Sequence, residues 1–117
     1  MKNIVILAFN GAQVLDIAGP MEVFAGGNQF TAQTAYRIEC LGVPQTMIRV
    51  SNGLTLSTKN YRSWRGEIDT IIVPGASEEA LQLLREETEF LRWLKTRLEK
   101  ARRIVSVCTG AFVLGKL

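Results

Sequence analysis

Histidine is absent from all 117 residues. No dyad or triad that takes its base from histidine can be built within this chain, and no histidine-ligated metal site. Cysteine is scarce. Cys40 and Cys108 stand far apart and form no metal-ligand spacing, so neither a metal nor another cofactor is expected. Long apolar runs are missing too: none approaches the ~18 residues of a membrane span. The first apolar run is followed by Asn10-Gly11 and lacks a small-residue cleavage site. These absences lead us to expect a reduced, cytoplasmic protein. Charge of one sign is also in short supply. The 14 Lys+Arg against 11 Asp+Glu leave a net +3, too weak for the dense basic stripe of a nucleic-acid-binding face. The only local basic cluster, Lys100-Ala101-Arg102-Arg103, is read as a helix C-terminus, where cations suit the dipole.

What is present fits one globular domain, 47% hydrophobic and 21% charged. Asn3 to Phe9 is an apolar, β-branched run suited to a strand buried on both faces. Leu15 to Phe24 reads as a helix with Leu15, Ala18 or Gly19, and Val23 along one side. Pro20 predicts that its regular part starts near residue 20, with Asp16 in the preceding turn. Gly26-Gly27 is expected to end it. Tyr36 to Gly42 alternates as a second strand. Met47–Val50 and Leu54–Ser57 flank Ser51-Asn52-Gly53, a hairpin signal. Asp69 to Val73 is a further buried strand, closed by Pro74-Gly75. Ser77 is placed to cap a helix whose continuation carries Leu91, Leu94, Leu98 and Ala101 at helical spacing. Arg103 to Val107 is the last strand, and a helix opens at Gly110. Strands alternating with helices predict an α/β fold with a mostly parallel sheet between helical layers. Ligands in such folds bind beyond the carboxyl ends of the strands. There the sequence delivers Asn10–Asp16, Pro74–Ser77 and Cys108–Gly110. Trp64 and Trp93 are read as packing or interface residues.

Ser106-Val107-Cys108-Thr109-Gly110 joins a buried strand to a helix. The pattern is that of a nucleophile elbow with Cys as its central residue. A sharp turn lifts the Cys108 side chain out of the sheet edge, and Gly110 removes a Cβ that would clash where helix meets strand. Free N–H groups at a helix start favour a thiolate, the reactive form. The expectation is that Cys108 is alkylated at lower pH than a free thiol. Cys40 lacks this context and is read as core filler in a strand.

Val14-Leu15-Asp16-Ile17-Ala18-Gly19-Pro20-Met21-Glu22-Val23-Phe24, Pro74-Gly75 and Ser106-Val107-Cys108-Thr109-Gly110-Ala111-Phe112-Val113-Leu114-Gly115 together resemble the ThiJ/PfpI superfamily, which has a class I glutamine-amidotransferase-like fold. Within it, the wording is similar to the N-terminal domain of AraC-type transcriptional regulators, and the isonitrile hydratase branch shares the same motifs. The resemblance covers the whole chain. It implies a flavodoxin-like three-layer sandwich with Cys108 at the elbow. Asp16 falls at the position of the acid that reaches this Cys, and Thr109 matches a residue of the hydratase branch. Backbone N–H groups near Gly75 and Thr109 would correspond to an oxyanion hole. Pro74-Gly75-Ala76 departs from the Pro-Gly-Gly of many relatives. The family's domain also continues past the elbow helix, so residues 1–117 are expected to be the N-terminal part of a longer protein, with the sheet incomplete at its C-terminal side.

Three functions follow as expectations. The first is a ligand-sensing and dimerisation domain of an AraC-type regulator. It would be a homodimer with a small-molecule pocket formed by Gly75, Ala76, Cys108, Thr109 and Gly110, meeting DNA only through a domain outside this chain. The second is a cysteine-dependent enzyme of the isonitrile hydratase or amidase type, using Cys108, Asp16 and Thr109. The third keeps the fold for dimerisation alone, with Cys108 vestigial.

Overall fold

A computed structural model describes residues 1–30 and 35–115. In chain order the elements are β1 (Lys2–Phe9), α1 (Val14–Gln29), β2 (Tyr36–Val43), β3 (Met47–Arg49), β4 (Thr55–Ser57), β5 (Lys59–Asn60), β6 (Thr70–Val73), α2 (Glu78–Arg85), α3 (Thr88–Leu98), β7 (Arg103–Ser106) and α4 (Ala111–Leu114). The apolar run of β1 is buried from Ile4 to Phe9. That burial follows from its place, because β1 lies between β2 and β6 and pairs in parallel with both. The sheet order is β5-β2-β1-β6-β7 and every pairing in it is parallel. The crossovers β1-α1-β2 and β6-α2-α3-β7 step in opposite directions along the sheet. With right-handed connections this sets α1 on one face and α2 and α3 on the other, the three layers expected.

The β3–β4 hairpin forms around Asn52-Gly53. Gly53 takes φ +93, and the Asn52 side-chain oxygen accepts from Leu54 N–H at 3.0 Å. Ser77 caps α2, its hydroxyl accepting from Ala80 N–H at 3.2 Å. Trp64 is buried, and its indole N–H donates to Gly66 O. Trp93 packs against Tyr61, with ring centroids 5.3 Å apart. Both tryptophans are packing residues.

Several expectations need correction. The strand before the elbow, β7, expected to be buried, is exposed along its length, because it is the edge strand of the sheet. Pro20 does not mark the start of regular helix. It lies inside α1, which begins at Val14 and holds Asp16 in its first turn. Gly19 makes this tolerable: the ring of a proline crowds the Cβ of the residue before it, and glycine has none. Gly26-Gly27 also lies within α1, which runs on to Gln29. The side of α1 that faces the core is marked by Ile17, the helix's buried residue, while Leu15 is 79% and Val23 73% exposed. The apolar side seen in the sequence therefore points outward. Finally, residues after Ser77 form two helices, not one. Glu86 N–H bonds Gln82 O and Leu83 O, and Glu87 N–H bonds Leu84 O, which closes α2. In one straight helix the six positions from Leu84 to Phe90 would turn about 600°, setting the two side chains on different faces. The break re-phases the chain so that both are buried.

The basic cluster also lies outside the helix. Lys100 to Arg102 follow the end of α3, Arg103 begins β7, and Arg102 pairs with Asp69 at 2.8 Å. That contact holds the Asp69 carboxyl below its ordinary range, chiefly through the Arg102 hydrogen bond. Among the described residues no helix is long and apolar enough to cross a membrane.

Candidate functional site

Three loops meet beyond the carboxyl ends of β1, β6 and β7. After β1 the chain turns at Gly11, with φ +85, and Ala12 forms an isolated bridge with Ala76. Gln13 N–H then donates to Gly75 O at 2.9 Å. One helical turn on, Asp16 Oδ2 accepts from Gly75 N–H at 3.0 Å. Both polar groups of the Gly75 backbone are thus held by the start of α1.

The elbow holds the next residue in the same way. Thr109 Oγ1 accepts from Ala76 N–H at 3.1 Å and donates to Ala76 O at 2.9 Å. One hydroxyl satisfies both polar groups of a buried residue. The Pro74–Ala76 loop is therefore pinned from two sides, by α1 at Gly75 and by the elbow at Ala76.

Cys108 is exposed and has φ 50, the one non-glycine residue with positive φ among those described. Left-handed backbone costs an ordinary residue about 1–2 kcal/mol. The turn is held on both sides of it. Val107 N–H bonds Val73 O at 2.9 Å, and Gly110 N–H bonds Val107 O at 2.9 Å. Gly110 lies against the end of β6: a Cβ there would sit 2.3 Å from Val73 O and 2.9 Å from Pro74 O. No side chain fits this junction, as the elbow reading expects. Gly75 is the other glycine the site requires. A Cβ on it would lie 3.0 Å from Cys108 Cβ, 3.0 Å from Thr109 Oγ1 and 3.1 Å from Asp16 Oδ2.

The structure thus brings together Cys108, Asp16, Thr109, Gly75, Ala76 and Gly110, which the sequence placed on three separate segments. It also defines their roles in bonding. Asp16 is joined to Gly75 N–H, and no hydrogen bond links it to the Cys108 thiol. The N–H groups of Gly75 and Ala76 already have acceptors. The N–H groups of Cys108 and Thr109 precede the first hydrogen bond of their turn, the place where helical donors are left open. The Gln13 and Ala12 contacts leave no signature in the residue types, because they are made by backbone atoms.

Cys40 is the contrast. It lies in β2, partly buried against the core. Burial, then the Glu39 carboxylate, pushes its thiol up to about 11. Among the described residues no group of Cys, Asp and Glu is placed to hold a metal ion.

Residues 2–117 match the model of the DJ-1/PfpI family. The chain belongs to this family. A protein encoded in the cpoL 5' region of Streptomyces lividans is 35% identical over 113 residues, which are 97% of this chain and 77% of that protein. The isonitrile hydratase of Pseudomonas putida is 31% identical over 93% of this chain but only 44% of its own length. The transcriptional regulator GbdR of Pseudomonas aeruginosa is 24% identical over 98% of this chain and 30% of its own. Among solved structures, an AraC-family transcriptional regulator from Pseudomonas putida superposes with a TM-score of 0.81 at 16% identity, over all of this chain and 71% of that one. The chain therefore has the DJ-1/PfpI fold and is similar over most of its length to a part of the regulator GbdR. It spans less than half the length of the hydratase and of GbdR.

Proposed function

We propose that the chain is the ligand-sensing and dimerisation portion of a cytoplasmic AraC-type transcription regulator. It would be the N-terminal part of a longer protein whose DNA-binding domain lies outside residues 1–117. Its small-molecule pocket is floored by Cys108 and edged by Gly75, Ala76, Thr109 and Gly110. The observation that carries this reading is the bonding of the Pro74–Ala76 loop. Thr109 commits its proton to Ala76 O, and Asp16 is engaged with Gly75 N–H. Groups committed in this way suit a rigid binding floor better than proton transfer. The exposed Leu15, Val23 and Phe30 on and just beyond α1 offer an apolar surface for a second copy. The test is the coding sequence beyond residue 117. A helix-turn-helix pair within roughly 100–200 residues, a domain-scale distance, is expected. A stop soon after one completed α/β domain would remove the reading.

One observation favours a second reading, a cysteine-dependent enzyme acting on an isonitrile or amide. Cys108 is exposed and held in left-handed backbone, as a nucleophile presented to a carbon electrophile would be. Turnover of simple isonitriles or amides by the full-length protein, above a Cys108→Ala control, would establish it. Equal rates would exclude it.

A further inference from the structure

We propose a second binding site, separate from Cys108, that takes a small organic cation with an apolar body. A cavity of about 450 Å³ lies outside the carboxyl ends of β1 and β2, between them and the end of α2. Its size is that of a small-molecule site. Phe9 and Val43 close the two strands and form its floor with Leu84, all three buried. Leu83, 66% exposed, stands at the mouth. The cavity reaches Glu86 and Glu87, the two residues between α2 and α3. Cys108 lies past β7, on the far side of β1 and β6.

The charge of this cavity points to its occupant. Among the described residues neither Glu86 nor Glu87 forms an ion pair. Of the two arginines in this region, Arg85 pairs with Glu78 and Arg62 with Glu89; the Arg62 guanidinium also acts on Glu87 through space, which leaves Glu86 as the carboxylate with no cation beside it among the described residues. Glu86 is the C-cap of α2, where the helix dipole is negative and a carboxylate is unfavourable. Glu87 is the N-cap of α3, and the positive end of that helix offsets it. An apolar hollow whose charged rim is negative complements an ammonium or amidinium group carried on a hydrocarbon or aromatic body. The cation would sit against the carboxylates and the apolar body would cover Phe9, Val43 and Leu84.

This proposal does not rest on the Cys108 reading, and its test separates the two. Titrate the 117-residue chain with phenethylammonium and, separately, with 3-phenylpropionate, following backbone amide shifts by NMR. The cation is expected to bind with a Kd of about 1 mM or lower, in line with its size, and to shift Val43, Leu84 and Glu86. The anion should not bind there. Adding salt should weaken the complex. The double variant Glu86→Gln/Glu87→Gln should weaken it about threefold to tenfold, the range that one or two partly exposed ion pairs supply. Leu83→Lys, at an exposed position that folding tolerates, should also weaken it by supplying a tethered ammonium. Cys108→Ala should leave it unchanged. Equal binding of cation and anion, unaltered affinity in the double variant, or shifts centred on Gly75 and Cys108 would overturn the proposal, as would no binding of the cation at tens of millimolar.

Discussion

The two cysteines are chemically the same residue in opposite settings. Cys40 lies mid-strand in β2, in ordinary extended backbone, partly buried beside Glu39. Cys108 stands at a loop, exposed, in left-handed backbone. For Cys40 the surroundings suppress the thiolate. For Cys108 they hold the backbone in place and leave the side chain open. The difference comes from the neighbours: a strand residue borrows its conformation from the sheet, whereas an elbow residue depends on a few contacts aimed at it. Glycine at 75 and 110 and the hydroxyl at 109 provide those contacts.

Several experiments can break or sharpen this contrast. The largest effect is expected from Gly110→Ala. With Val73 O 2.3 Å from the added Cβ, the elbow must separate from β6, at a cost of about 3 kcal/mol. Urea unfolding measures it, and a loss under 1 kcal/mol would mean that Cys108 is not held as described.

Alkylation by iodoacetamide compares the thiols directly. At pH 8 a thiol at about 11 carries on the order of one thiolate in a thousand. Cys108 should therefore be labelled at least about 100-fold faster than Cys40 in the folded protein. Mass spectrometry of the two peptides decides it, and equal rates would abolish the distinction.

The Cys40 shift also predicts a pH effect on stability. A folded-state value above the unfolded one means the folded chain keeps a proton that the unfolded chain releases. The stabilisation is complete below about pH 9 and is lost as pH rises towards about 11. A shift of this size corresponds to at most about 2–3 kcal/mol. Unfolding of the wild type and of Cys40→Ala across that window should show the slope in the first and a smaller slope in the second.

The smallest effect carries the clearest sign. Cys108→Gly relieves the left-handed strain and should raise stability by about 0.5 kcal/mol, the net of relieved strain and greater unfolded-chain freedom. Cys40→Gly, in a strand, should lower it.

Much of the fold was legible in the residues. The β1 run, the Asn52-Gly53 hairpin and the Ser77 cap each carry a local physical signature, and each is present. So does the elbow, where Gly110 marks a junction with no room for a side chain. What stayed hidden depends on the partner. Leu15 and Val23 have helical spacing, yet spacing does not say which side of a helix meets the sheet; Ile17 does. Pro20 signals a helix start by its own chemistry, but the glycine before it removes the part of the clash that a preceding Cβ would make. The break at Glu86-Glu87 answers a need to bury both Leu84 and Phe90, which only the assembled core imposes. At the site, the residues could be named, but not the bond from Asp16 to Gly75 N–H, since a backbone donor leaves no mark on a sequence.

The pinned loop has a consequence for how disturbance travels. Between the sulfur-bearing turn and α1 there is no soft segment: Thr109 grips Ala76, and Gly75 is gripped in turn by Gln13 and Asp16. Anything that displaces the elbow must either stretch these bonds or carry the helix with it. The outer surface of that helix is the bare one. The Pro74–Ala76 loop thus ties the elbow to the start of α1, so that neither moves without the other.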